Sequence, residues 1–509
     1  MARLFEYQGK EILSRMKIPI PKGQVARTPE EAEEAARSIG KPVIIKAQAW
    51  VTGRASLGGI RKADSADEAR KAAEAILGME MKGFTVNEVL VEEQIDIDQE
   101  FYAGVIIDDV ARRPVVIVSS MGGTGIEEIA QSHPDKVATQ KVKITRGLPA
   151  HDARNLWRKV GISGKLQMKL GNALVGLYNM CRKYEARSGE INPLVVTNDG
   201  QVMAADCRLT VDDYAVFRHP DLGIEIAREL DRPATPLEKI AYQVEAVDYR
   251  GTFYFIQMAQ GFREGEGYIG FHGAGGGGSM MSMDALLKRG YKIANFTDTS
   301  GNPPSSKVYR AARIILSQEG LDGYFASGSG VASQEQFHSA RGFVKAFREV
   351  GLSIPAVIRL GGNFEEEAIE ILGKCASGLP SKLEAYGRDD SPDFCAERLQ
   401  LLIEEQKKAG LRSFTPRKRN PARKPYRFET VTGSIEIDHA CCVQCKDKPC
   451  VAACTREILK IEDSAPVLAQ EVAVVKKGRC TECLACEIAC EFEGNGGLWI
   501  DLPIPELKE

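Results

Sequence analysis

Residues 42–59 read PVIIKAQAWVTGRASLGG. A β-branched apolar run closes on Lys46, and a turn holding Gly53, Arg54, Gly58 and Gly59 follows. Such a run, bounded by proline and glycine, predicts a short buried strand. Lys46 is then fixed at a strand end instead of waving in solvent. A point positive charge beside glycines, whose backbone N–H groups can approach a ligand closely, makes a phosphate site. A surface lysine before a flexible hairpin is the other reading of the same residues.

The pattern continues on both sides. Up to about residue 232, runs such as NEVLVEEQI, PVVIVSS and NPLVVT alternate with amphipathic stretches such as EEAEEAARSIG, so this part is α/β or α+β. Glu92 ends NEVLVE and Glu100 lies in QEFY; acids at strand ends are ordinarily solvated. In EINPLVVTNDGQVMAAD, residues 190–206, Asn192 and Asp206 are expected on two strands joined by the NDG turn. Two oxygen donors so placed converge on one hard cation. From 236 to 385 three strand, glycine-rich turn and helix units follow, containing FHGAGGGGS, ASGSGVASQ and VIRLGGN. They predict a small parallel sheet with ligand-binding loops at the carboxyl ends of its strands. His272 and Gly330-Val331-Ala332 fall in two of these turns, each expected to open a helix and cradle an anion. Residues 386–427 hold a helix-like AERLQLLIEEQKKAG and the basic TPRKRNPARKPYR, read as a linker running over an acidic surface.

Eight of the 13 cysteines crowd into two runs near the end. CVQCKDKPCVAAC carries Cys442, Cys445, Cys450 and Cys454; CTECLACEIAC carries Cys480, Cys483, Cys486 and Cys490. Four soft thiolates around a compact inorganic core are what a [4Fe-4S] cubane needs. Where two clusters share one domain, the last cysteine of each run crosses to the other cluster. That groups Cys442, Cys445, Cys450 and Cys490 on one cluster, and Cys480, Cys483, Cys486 and Cys454 on the second. Zinc is the alternative for paired CxxC motifs, but four ligands would leave four thiols unexplained. Cys441 adjoins Cys442, so either is the first ligand, with the two-residue gap favouring Cys442. The tail resembles bacterial-type ferredoxin domains, with Thr455 and Glu491 where proline commonly follows the fourth cysteine.

Composition narrows the partners. With 67 Lys plus Arg against 70 Asp plus Glu, the net charge of −3 argues against nucleic acid or an acidic membrane. No run of about eighteen apolar residues is present to span a bilayer, and the N-terminal MARLFEYQGKEILSRM lacks the apolar core of a signal peptide. Scattered remaining thiols without a disulfide framework, beside oxygen-sensitive clusters, point to the cytoplasm.

Several segments together, FEYQGKEIL, VIIKAQAWVTGRASLGG, LVEEQIDIDQEFYAG and EINPLVVTNDGQVMAAD, with weaker FRHPDLG and VIRLGGN, resemble the β subunit of succinyl-CoA synthetase and its nucleoside-diphosphate-forming relatives. The resemblance spans about the first 375 residues. It implies an α/β multidomain chain: an ATP-grasp domain over 1–232, a flavodoxin-like CoA-ligase domain over 236–385, and a helix and basic linker over 386–427. The small α+β ferredoxin-like domain with two clusters occupies 428–509. It further implies that Lys46, Gly53, Arg54 and Ala55 meet nucleotide phosphates, that Glu92 and Glu100 reach the nucleotide, and that Asn192 and Asp206 bind Mg²⁺. Glu190 would face a phosphohistidine on a partner subunit. His272 takes the place of the family's asparagine, as a hydrogen-bonding substitute, a general base or a second phosphate carrier, and Gly330, Val331 and Ala332 fall where the acid-binding loop lies. GRASLGG and Asp206-Cys207-Arg208 depart from the family's GRGKAGG-like loop and DGK.

The expected function is the nucleotide-binding subunit of an ADP-forming acyl-CoA synthetase. ATP phosphorylates a histidine on an α-type partner, which also binds most of the CoA, and the phosphate then activates a carboxylate. The assembly is a cytoplasmic hetero-oligomer whose ferredoxin tail meets an oxidoreductase or ferredoxin. A redox scaffold that merely binds nucleotide, or ATP-driven electron transfer, is the rival reading. The acid, the choice of ATP or GTP, the direction of reaction and the cluster potentials are not written in these motifs.

Overall fold

The structure, a computed structural model, describes residues 2–123, 125–224, 232–247, 253–328, 330–419, 422–469 and 480–507. The chain forms two compact units, Met1–Pro233 and Ala234–Glu509.

The first unit holds two large antiparallel sheets and a two-stranded hairpin, Glu80–Met81 with Phe84–Thr85. A four-stranded sheet runs in the order Gly23–Ala26, Val89–Glu93, Val43–Ala47, Ile60–Ala63. Helices Pro29–Ile39 and Ala66–Ile76 cover it with alanines (Ala32, Ala35, Ala36, Ala69, Ala72, Ala73), small enough for close helix–sheet packing. Both helices start at hydroxyl caps: Thr28 accepts from the Glu31 N–H and Ser65 from the Glu68 N–H. A seven-stranded sheet has the long strands Ile97–Asp108 and Ala186–Thr197 at its centre. Helices Ala150–Lys159 and Gly164–Lys183 lie behind it around the buried Trp157 and Tyr178. Asp206 is not on a strand, as the hairpin reading expected. It lies in the connection between Val202–Ala204 and Arg208–Val211, and the Ala205 N–H donates to the Pro193 carbonyl at 3.1 Å, keeping that connection beside Asn192.

In the second unit six strands lie in the order Tyr254–Gln257, Lys292–Asp298, Tyr268–Ala274, Gly323–Gly328, Ala356–Arg359, Leu383–Tyr386. Five are parallel and Tyr254–Gln257 is an antiparallel edge. Helix Pro392–Ala409, expected as a helix beyond the 236–385 domain, packs onto that domain's sheet. Its Cys395, Ala396, Leu399, Leu402 and Ile403 share one face and are buried with Phe271, Phe325 and Val357 of the sheet. The domain therefore closes near residue 410 and not at 385.

The C-terminal part is a small α+β assembly. It has a three-stranded sheet (Pro425–Glu429, Ser434–Asp438, Leu498–Asp501), a hairpin (Leu459–Glu462, Ala465–Leu468) and helix Ala485–Phe492. Its core is continuous with that of the parallel-sheet domain: Ile435, Ile437 and Ile500 join the same buried cluster as Phe343, Val344 and Phe347. The basic segment does follow acids. Arg417 pairs with Glu487 at 2.9 Å and Glu491 at 3.0 Å, Arg419 with Glu436, and Arg423 with Asp438 at 3.7 Å.

The junction buries charge. Lys345, on helix Phe337–Val350, is 1% exposed and reaches Glu349 at 2.7 Å and Glu487 at 2.9 Å. Lys345→Ala strips Glu487 of one of two cations and is expected to lower unfolding free energy by about 3–5 kcal/mol. Leu399→Ala is expected to cost about 2–5 kcal/mol through the cavity it leaves. Denaturant unfolding of the full chain measures both; a change below 1 kcal/mol for Leu399→Ala, on the order of a surface substitution, would return that helix to the linker.

Candidate functional site

Lys46 lies near the end of strand Val43–Ala47 and is buried. Its ammonium donates to Glu6 Oε1 and the Ala205 carbonyl, both at 2.8 Å, and pairs with Glu92 Oε2 at 2.8 Å. Arg54, from the loop after the strand, binds Glu6 Oε2 at 2.7 Å and Asp206 Oδ2 at 2.9 Å. Lys10 completes the set, reaching Glu6 at 2.8 Å and Glu92 at 2.6 Å. Three cations and three carboxylates thus form one lattice at the floor of the 51–59 loop.

The electrostatics follow from that packing. Burial alone would raise the Glu6 carboxyl, but Lys10, Lys46 and Arg54 hold it well below the carboxylate range. Burial would likewise lower Lys46, yet Glu6, Glu92 and Asp206 hold its ammonium above the ordinary lysine value. Asp206 is raised, by burial first and then by Glu6, against the pull of Arg54 and Lys46. Glu92, read as a nucleotide contact, is 3% exposed with both oxygens bonded to Lys10 at 2.6 and 2.7 Å. It also pairs with Lys46 at 2.8 Å, so in this structure it links Lys10 and Lys46.

Glu6 and Lys10 escaped the sequence reading, although they lie in the quoted FEYQGKEIL. They are spaced i, i+4 on the buried face of helix Glu6–Arg15, and two charges on an apolar helix face were the available signal. Gly9 lets that helix approach: a Cβ there would lie 2.7 Å from Cys207 Sγ, next to Asp206.

The other expected groups surround this floor. Gly53 has φ of 74°, a left-handed conformation suited to glycine, and Ala55 is exposed. Asn192 Oδ1 accepts from the Gly123 N–H at 2.8 Å, and a Cβ on Gly123 would lie 2.6 Å from Glu100 Oε2, so Glu100 and Asn192 flank one backbone turn. Glu190, half-buried on strand Ala186–Thr197, accepts from Tyr102 Oη at 3.2 Å and lies 3.6 Å from Arg208. Asn192 and Asp206 offer hard oxygen donors of the kind Mg²⁺ takes.

In the parallel-sheet domain the outcome differs. His272 is 2% exposed, inside strand Tyr268–Ala274. Its Nδ1 is 2.7 Å from Tyr324 Oη and its Nε2 3.5 Å from Thr299 Oγ1, and Phe343 stacks edge-on to the ring. Burial pushes it down to about 3, so it is a neutral core hydrogen-bonding group, enclosed away from the glycine-rich turn. Gly275 does open helix Gly276–Lys288, its N–H donating to Asp298 Oδ1 at 2.9 Å. Gly330, Val331 and Ala332 do not open a helix: helix Phe337–Val350 starts later, and Val331 is 82% exposed. Ala332 instead bridges Gly362.

Among the described residues no three His, Cys, Asp or Glu side chains lie close enough together to hold a metal ion. The tail's thiols nonetheless fall into two electrostatically interacting neighbourhoods, linked through Cys450 and Cys486. Cys442 feels Cys490 and Cys445, and Cys450, hydrogen-bonded to Cys490, feels Cys486 as well as Cys442. Cys480 feels Cys483 and Cys454, and Cys486 feels Cys483, Cys480 and Cys454. Cys450 and the N–H groups of Leu498, Gly497 and Gly496 hold Cys490 down to about 6, the backbone donors aimed at its sulfur. Cys442 is buried among these thiols, whereas the half-buried Cys441 donates to Asp438 Oδ2 at 3.3 Å.

Comparison with known proteins adds to this geometry. The ATP-grasp domain family matches residues 3–196. The GDP-forming succinate–CoA ligase β subunit of Thermus thermophilus is 39% identical over 383 residues, 75% of this chain and 96% of its own length. The ADP-forming β subunit of Rubrobacter xylanophilus is 36% identical over 75% of this chain and 94% of its own. In structure the chain is similar to ATP citrate lyase from Methanothrix soehngenii, with a TM-score of 0.65 and 18% identity, covering 79% of this chain and 99% of that one; this is a likeness of fold. Among the described residues no helix is long and apolar enough to cross a membrane.

His272 gives a pH test. Its folded value of about 3 lies below the ordinary 6.5, so between these values the unfolded chain binds the extra proton and stability falls as pH drops. His272→Asn is expected to flatten the decline between pH 6.5 and 4.5 by up to about 1.4 kcal/mol per pH unit. Unfolding midpoints across that window decide; identical slopes would mean the imidazole is not held neutral.

Proposed function

The chain belongs to the succinate–CoA ligase β-subunit family, the nucleoside-diphosphate-forming acid–CoA ligases, and we propose that it is the nucleotide-binding subunit of such a ligase with a two-cluster electron-transfer domain fused to it. The observation that carries the ligase part is the buried lattice at Lys46 and Arg54.

These two cations are held where phosphate oxygens of ATP would arrive, and their ion pairs keep them charged. An incoming phosphate exchanges for carboxylate contacts, so neither cation waits bare in a dry site. Asn192 and Asp206 would hold Mg²⁺, which when bound neutralises charge on the phosphates. Gly53 and Ala55 of the same loop would meet the phosphates, and Glu100 would reach the nucleotide. Glu190, steadied by Tyr102 and Arg208, accepts the N–H of a partner histidine and leaves the other ring nitrogen free to attack the terminal phosphorus, breaking its bond to the bridging oxygen and releasing ADP. The phosphohistidine then passes its phosphoryl group to a carboxylate, and CoA, held mainly by the α-type partner, displaces phosphate to give the acyl-CoA.

The donor chemistry of the tail fits two [4Fe-4S] clusters. Eight thiols in two neighbourhoods, six of them buried, with backbone N–H groups aimed at one sulfur, suit cubanes better than one tetrahedral ion. Cys442, Cys445, Cys450 and Cys490 would hold one, and Cys454, Cys480, Cys483 and Cys486 the other. The clusters supply one-electron transfer to an oxidoreductase or ferredoxin partner. Free thiols throughout the described chain suit a reducing cytoplasm.

Mixed with an α-type partner and Mg·ATP, the protein is expected to place an acid-labile, base-stable phosphate on a partner histidine. Lys46→Ala and Asp206→Ala should each lower that labelling by about two orders of magnitude or more. Acyl-CoA synthesis by this chain alone would overturn the divided site.

Anaerobically prepared protein is expected to hold about eight iron and eight acid-labile sulfide per chain. Cys490→Ala should disrupt the cluster of the first cysteine run and Cys454→Ala that of the second, read by iron content and low-temperature electron paramagnetic resonance. Bound zinc without iron refutes the assignment.

A further inference from the structure

The two CxxC turns of the C-terminal part are covered unequally. Between Cys480 and Cys483, Glu482 is 1% exposed. Its carboxylate accepts from Thr430 Oγ1 at 2.7 Å and from the N–H and Oγ1 of Thr432, both at 2.6 Å. Ser305 of the parallel-sheet domain donates to the Cys483 carbonyl at 3.2 Å, which ties that turn down further. Between Cys442 and Cys445 the Cys445 N–H donates to the Cys442 carbonyl at 3.0 Å, and both intervening residues stand in solvent. Val443 is 64% exposed and Gln444 is exposed beside it.

Positive charge surrounds this open turn. Lys446 follows Cys445 and is exposed, and Lys448 Nζ donates to the Cys445 carbonyl at 2.8 Å. Arg423 lies 3.7 Å from Cys441 Sγ, with its side chain 71% exposed. The exposed Lys424 is held beside it: its N–H donates to Asp438 Oδ1 at 3.0 Å, and its carbonyl accepts from the His439 N–H at 3.0 Å. Asp438 is buried beneath these contacts, so the one acid of residues 438–450 that faces solvent is Asp447.

An apolar centre within a charged rim is the anatomy of a protein docking face. Charge of one sign on that rim steers a partner of the opposite sign and fixes its orientation. Electron transfer between proteins also requires a short path, and the buried thiols of Cys442 and Cys445 flank the exposed turn. The turn of the second run, held by Thr430, Thr432 and Ser305, offers no such approach.

We propose that an acidic one-electron carrier protein docks on the face formed by Val443, Lys446, Lys448, Arg423 and Lys424, and that electrons enter and leave the chain through the first cysteine run. One electron crosses in each encounter, so the carrier is oxidised as this chain is reduced, or the reverse. The inference rests on the two-cluster reading above and specifies the chemistry of the electron partner and the side it meets.

The test is calorimetric titration of the full-length, anaerobically prepared protein with flavodoxin, an acidic carrier, and with cytochrome c, a basic one. Saturable flavodoxin binding is expected at low salt, weakening about tenfold or more between about 50 and 300 mM salt, with no comparable binding of cytochrome c. Arg423→Glu with Lys446→Glu, and separately Lys424→Glu with Lys446→Glu, should each weaken flavodoxin binding about tenfold or more. Lys71→Glu with Lys159→Glu makes the same change in net charge on exposed positions of the first unit and should leave binding unchanged. Iron content, expected at about eight per chain in every sample, reports the cluster reading separately. Protein that takes up no iron removes that reading and this proposal with it. Iron-loaded protein that prefers cytochrome c, binds flavodoxin equally at both salt concentrations, ignores both face variants, or loses as much binding in the first-unit variant overturns this proposal alone.

Discussion

Glu6 brings a carboxylate into the interior of the first unit, and the arrangement around it depends on that charge being answered on every side. Lys10 and Lys46 share one oxygen and Arg54 takes the other. Removing any of these partners leaves a desolvated charge, so helix Glu6–Arg15, strand Val43–Ala47 and the Arg54 loop are fixed relative to one another. Arg54 extends the lattice to Asp206 and Lys46 extends it to Glu92. The 51–59 loop is thereby held from below as well as by its own backbone hydrogen bonds, such as the Gly59 N–H to the Arg54 carbonyl.

A similar economy governs the second unit. Helix Ala485–Phe492 carries Cys486 and Cys490, one thiol for each neighbourhood. The same helix presents Glu487 and Glu491 to Lys345, Arg348 and Arg417. Because Glu487 is wholly buried, that contact cannot loosen without stranding charge. The cysteine-rich part is thus welded to the parallel-sheet domain, and its loops stand beside the carboxyl ends of that sheet. A tethered, freely swinging electron carrier would have none of these buried pairs.

Departures from the family's motifs look different once placed. His272 substitutes inside the core, where Tyr324 and Thr299 answer both ring nitrogens, so its change of identity bears on packing. Ala55 lies exposed in the loop, where a missing glycine is felt only by whatever approaches from solvent. Cys207 faces Gly9 and supports the approach of helix Glu6–Arg15.

The sequence by itself determined the layout: periodic runs and glycine-rich turns mark the strands and helices, and fixed cysteine spacings mark the tail, because these are local patterns with local causes. It also singled out Lys46, Arg54 and Asp206, whose motifs are contiguous and which meet in one ion-pair lattice. Tertiary structure decided what each side chain faces. Glu92, expected to reach a nucleotide, is buried as an ion-pair partner, since Lys10 reaches it from 82 residues away in sequence. Helix Pro392–Ala409 reads as a helix outside the 236–385 domain, because its apolar face has meaning only against Phe271 and Phe325. Burial and charge balance between segments so far apart in sequence are not written in any single stretch.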